Sequence, residues 1–129
     1  MGQTIVEKIA QAHLVEGPNC PLRTGDFVTI RPRHVMTHDN TSAVMKKFKT
    51  IGAKRVHDPN QLVFALDHDI QNREDSNVSK YRAIEAFAKE QEIDFYPAGS
   101  GIGHQIMVEK GYVVPGSFAR SEERRRERV

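Results

Sequence analysis

Cysteine is almost missing from this sequence: Cys20 is the only one in 129 residues. That excludes an internal disulfide, and it excludes any zinc or iron–sulfur site that needs several thiolates from this chain. Long apolar runs are missing too, since none approaches the roughly 18 residues of a membrane span, and the start lacks the basic and apolar regions of a secretory signal. Repeats and low-complexity linkers are absent before the last ten residues. Excess charge is small at +2, and much of the basicity sits in Arg120, Arg124, Arg125, Arg126 and Arg128. These arginines interleave with Glu122, Glu123 and Glu127 and with no aromatic residue, so nucleic acid is not expected as a partner; with no long apolar run, neither is a membrane.

What remains is the composition of one soluble domain, 38% hydrophobic and 28% charged. Thr4 and Glu7 form a capping-box pattern, and Ile5, Ile9 and Ala12 then share one face, which predicts a helix over residues 4–14. The segment from Asp26 to Pro32 reads as a short strand after the turn signal "RTGD". "RHVMTHDN" reads as a loop, after which Thr41 or Ser42 caps a helix with Val44, Phe48 and Ile51 facing the core and Gly52 as its stop. Leu62 to Leu66 is a continuous apolar run, as expected of a strand covered on both faces of a parallel sheet. Residues 77–91 read as an amphipathic helix with Val78, Tyr81, Ile84 and Ala88 on one face, broadened by Ala83 and Phe87. "IDFYPAG" is another short strand, and a helix follows from His104 to Lys110, ended by Gly111. Strands alternating with helices predict an α/β fold, a three-layer α/β/α sandwich around a mostly parallel sheet.

In such folds ligands gather beyond the carboxyl ends of the strands, and two polar clusters fall there. The first is Asp67-His68, where an acid beside a histidine orients the imidazole for general acid chemistry near neutral pH; the alternative is an ordinary cap and a surface histidine. The second is "AGSGIGHQIM", residues 98–107, whose glycines Gly99, Gly101 and Gly103 lead to His104. A dinucleotide fingerprint requires a glycine where His104 stands, so that reading fails, and an anion-binding loop or a plain tight turn remain. A third polar loop, His38 and Asp39 followed by Asn40, Thr41 and Ser42, reads as helix caps or as ligand contacts. His13, His34 and His57 read as surface residues, and no metal ligands are assigned.

Taken together, "GQTIVEKI", "RPRHVMTHDNTSAV", "LDHDI" and "KEQEIDFYPAGSGIGHQIMVEKGYVVPGS" resemble, in order and spacing, the N-terminal region of the aconitase family of hydro-lyases. The wording is nearest its homoaconitase branch, with isopropylmalate dehydratase large subunits next, and covers residues 2 to about 117. The resemblance implies an enzyme that moves a hydroxyl between adjacent carbons of a homocitrate-like carboxylate by elimination and rehydration, in lysine biosynthesis. It implies a [4Fe-4S] cluster, whose cysteine ligands are absent from this chain. It implies catalytic roles for Asp67, His68 and His104, and substrate contacts at His38, Asp39, Thr41, Ser42 and Ser100. The Asp that pairs with the histidine at position 104, the substrate-binding arginines and a serine base lie outside the resemblance. Residues 1–117 are thus expected to form a partial aconitase-type domain and 118–129 a charged divergent tail, either a solvated helix or a random extension. A truncated, inactive piece is expected, with the missing enzyme domains or a small subunit as partners. The alternative is a non-catalytic carboxylate- or partner-binding module. Fungal members of that branch are mitochondrial, which is the expected location; no presequence is visible, and cytoplasmic is the alternative.

Overall fold

The computed structural model describes residues 2–122. Its first helix, α1 (Ile5–Ala12), starts where the capping box places it: Thr4 Oγ1 accepts from Glu7 N at 3.2 Å, and Glu7 Oε2 accepts from Thr4 N at 2.7 Å. Glu7 also reaches across to a neighbouring loop, its Oε1 accepting from Thr24 N at 2.9 Å. β1 (Leu14–Glu16) pairs antiparallel with β2 (Thr29–Ile30) in a separate two-stranded sheet. The strand expected over Asp26 to Pro32 therefore shrinks to two residues. The Arg23–Asp26 turn, closed by Arg23 N donating to Asp26 Oδ2, leaves Phe27 outside the ladder and 98% exposed.

The main sheet holds β3 (His34–Thr37), β4 (Leu62–Ala65), β5 (Asp94–Tyr96) and β6 (Ala119–Glu122), all parallel, in the order β5-β4-β3-β6. β3 corrects the loop expected at "RHVMTHDN". It is central, with Met36 and Thr37 buried, so it lacks the polar–apolar alternation that marks a half-exposed strand. β6 occupies the start of the segment read as a charged tail: Ala119 to Glu122 pair with His34 to Thr37. The expectation for the rest of that tail falls on residues outside those described.

Helices cover both faces, as the three-layer expectation requires. On one face α2 (Thr41–Thr50) and α3 (Asp75–Gln91) bury Met45, Ile84, Phe87 and Ala88 against Phe64 and Leu66. On the other, α4 (Gly103–Glu109) sets Ile106 and Met107 on Met36, Val63 and Ala65. β4 thus feeds both cores, and its unbroken apolar run follows from that. Two details differ from the expected helix faces. Ile51 is 77% exposed, because it is the cap residue of α2 and no longer follows the helical rotation, and Met45 takes the core position instead. Ala83 is exposed as well.

The sheet order runs outward from β3 through β4 to β5 and then returns to the other side of β3 with β6. In open α/β sheets ligands bind beyond the carboxyl ends of the strands at the point where the strand order reverses, which here is between β3 and β6.

Candidate active site

Four segments meet at those carboxyl ends. His38 and Asp39 follow β3, Asp67 and His68 follow β4, the glycine loop follows β5, and Ser121 lies on β6. Asp67 is the centre of the group. Its Oδ1 accepts from His38 Nδ1 at 2.8 Å and from His68 Nδ1 at 2.5 Å, and its Oδ2 accepts from Gly103 N at 2.5 Å. Burial raises the Asp67 carboxyl, but these three donors outweigh it and hold the group below the ordinary carboxylate value.

An ionised carboxylate only accepts, so both Nδ1 atoms carry hydrogens. His38 is buried, with its second nitrogen, Nε2, bonded to Ser121 Oγ at 2.9 Å. His68 differs in exposure: 56% of its side chain is open to solvent. The two rings meet edge to face with centroids 4.6 Å apart, and His104, exposed at the start of α4, stands with its ring centroid 5.5 Å from that of His38.

Asp39 braces the pair from behind. Its Oδ2 accepts from His68 N at 2.9 Å and Asp67 N at 3.2 Å, and its Oδ1 accepts from the Tyr81 hydroxyl. Burial raises this carboxyl too, and the Tyr81, His68 and Asp67 donors bring it below its ordinary value. Thr41 is fully buried; its hydroxyl donates to His38 O and lies 2.6 Å from Thr37 Oγ1, so it ties the β3–α2 turn. Ser42 is half-buried in the first turn of α2, and Ser100 is exposed in the glycine loop, where its N–H donates to Pro97 O.

The glycines of "GSGIGH" do two separate jobs. Gly99 and Gly101 have φ of 91° and 140°, a region that side chains disfavour. Gly103 instead makes room: a Cβ there would lie 2.9 Å from both Asp67 Oδ2 and His38 Cε1 and 3.0 Å from Met36 Sδ. The loop can therefore press its backbone onto the carboxylate and deliver His104 beside it.

Ser121 and Tyr81 join this group although neither was expected there. Ser121 had one signal, the alternation of small residues at Ala119 and Ser121 with charged Arg120 and Glu122, which fits a strand rather than a helix. Tyr81 had none beyond its core-facing position on α3.

Residues 7–120 match the aconitase family (aconitate hydratase). The chain belongs to the aconitase family. It is 54% identical over 117 residues to the mitochondrial homoaconitase of Aspergillus niger, covering 90% of this chain and 15% of that protein. It is 57% identical over 115 residues to the mitochondrial homoaconitase of Candida parapsilosis, covering 88% and 17%, and 55% identical over 117 residues to that of Cryptococcus neoformans, covering 90% and 16%. The chain thus spans 15 to 17% of the length of these relatives.

Membership of the aconitase family implies a [4Fe-4S] cluster, and the residues of this chain do not fit one. Such clusters are held by thiolates, whereas the carboxyl-end group offers imidazole nitrogens and carboxylate oxygens. The single cysteine, Cys20, is exposed beside Gln3, Gln11 and Pro18, in a depression that none of the site residues lines.

Proposed function

We propose that this chain is a segment of a homoaconitase-type hydro-lyase, which dehydrates and rehydrates a homocitrate-like tricarboxylate, and that His68 is its proton donor. The observation that carries the reading is the Asp67–His68 contact, 2.5 Å from Oδ1 to Nδ1, on a side chain that is 56% exposed to solvent. Asp67 fixes the tautomer with the proton on Nδ1, so the acid form of His68 presents Nε2–H outward. In the elimination the carbon–oxygen bond breaks, the leaving hydroxyl keeps the electron pair, and it takes the Nε2 proton to depart as water. The hydrogen on the neighbouring carbon leaves as a proton to a base supplied from outside this chain, and the double bond forms. Rehydration is the reverse. His104 and the exposed Ser100 face a substrate carboxylate from the β5 side, while His38, Asp39 and Thr41 position the acid from within. The remaining family domains are the partners, and the relatives named mitochondrial favour that compartment.

The test is a chimera in which residues 7–120 replace the matching segment of the Aspergillus niger homoaconitase, expressed in a fungus that lacks the enzyme and requires lysine. Growth without lysine and turnover of homocitrate are expected. His68→Ala in the chimera should lower kcat about 10²–10⁴-fold with cluster absorbance unchanged. A folded, cluster-loaded chimera without turnover, or with turnover untouched by His68→Ala, overturns the proposal.

A further inference from the structure

We propose that His38, Asp67 and His68 also form a binding site for one divalent cation of the zinc and cobalt class, formed by this chain without help from any other domain. One donor atom from each residue lies within 4.8 Å of the others, and the two Nδ1 atoms converge on the same carboxylate oxygen, Oδ1 of Asp67.

Each ligand is also held from behind by a second partner, the arrangement that orients ligands in metal sites. His38 Nε2 meets Ser121 Oγ at 2.9 Å, Asp67 Oδ2 takes Gly103 N at 2.5 Å, and His68 is anchored through its own N–H to Asp39 Oδ2 at 2.9 Å. Asp39 is itself fixed by Tyr81. These bonds leave the three convergent atoms with only the imidazole hydrogens between them. A cation takes the place of those hydrogens when the two Nδ1 atoms draw back from Oδ1, because metal–ligand bonds of about 2.0–2.2 Å set tetrahedral donors wider apart than the present 2.8 and 2.5 Å. The Nδ1 lone pairs turn to the metal and the hydrogens move to Nε2; on His38 the new Nε2–H donates to Ser121 Oγ, a hydroxyl able to serve as donor or acceptor.

The donor set decides the class of cation. Two imidazoles and one carboxylate suit zinc, cobalt, nickel and copper, whereas magnesium and calcium require mainly oxygen ligands. His38 and Asp67 are 4% and 6% exposed in their side chains, and His68 at 56% forms the entrance, so solvent reaches the fourth coordination position. The inference goes beyond the hydro-lyase reading and does not rest on it. A cation on the Nδ1 atoms detaches Asp67 from His68, so metal binding and proton donation are alternative uses of the same atoms.

The experiment is titration of the full, untagged chain with Zn²⁺ by calorimetry and with Co²⁺ by visible absorption. One cation per chain is expected, with d–d bands of a nitrogen- and oxygen-ligated cobalt and no thiolate charge-transfer band, and no heat with Mg²⁺ or Ca²⁺. His68→Ala, at an exposed position, should keep the fold by circular dichroism and weaken Zn²⁺ at least tenfold. Ser121→Ala should weaken it about tenfold. His57→Ala, at an exposed histidine elsewhere, and Cys20→Ser should leave it unchanged. Absence of saturable one-to-one binding, or binding that His68→Ala leaves intact or Cys20→Ser removes, overturns the proposal.

Discussion

At the scale of single residues, Gly103 shows how much the glycine loop conceals in one dimension. The three glycines are visible as a device, but only the packing tells them apart: Gly99 is needed for its φ of 91°, with open space around it, and Gly103 because a Cβ there would lie 2.9 Å from Asp67 and His38. The two positions should therefore fail differently. Gly103→Ala should destabilise by about 1–3 kcal/mol, as overpacking does, and should move the imidazole NMR signals of His38 and His68. Gly99→Ala should cost about 1–2 kcal/mol through its backbone alone and leave those signals in place. Equal shifts from both would remove the distinction. The Asp67–His68 adjacency was legible because the two residues are neighbours in the chain. The braces were not, since Tyr81 reaches Asp39 across 42 positions and Ser121 reaches His38 across 83.

At the scale of elements, legibility follows the kind of signal each one carries. α1 was readable because its capping box is local; β4 was readable because an apolar run of strand length has few other meanings. β3 was not, because a strand buried on both faces that ends in a polar site shows neither alternation nor an unbroken apolar run. β6 was obscured by the charges around it. The α1 reading yields a graded expectation. Thr4→Ala removes one reciprocal bond and should lower stability by about 1 kcal/mol. Glu7→Ala removes the other and also releases the Thr24 loop, so its loss should be the larger of the two. Urea midpoints of the two variants decide the order, and a larger loss for Thr4→Ala contradicts the tie to the loop.

At the scale of the whole molecule, two carboxylates join segments that the sheet alone leaves separate. Asp67 links the ends of β3 and β4 to the start of α4, and Asp39 links those same strand ends to α3. Both carboxyls are held below their ordinary value of 3.8 in the folded chain. The unfolded chain therefore binds protons first as pH falls, and it binds more of them than the folded chain in that range. The stability these groups contribute is complete above about pH 4 and is lost as pH drops through the lower folded values. Asp67→Asn keeps the shape but abolishes the titration. It should lower the urea midpoint at pH 7 and flatten its decline below pH 4. A profile for Asp67→Asn that runs parallel to the parent chain below pH 4 would place the acid-sensitive contacts elsewhere than at the meeting point of the four segments.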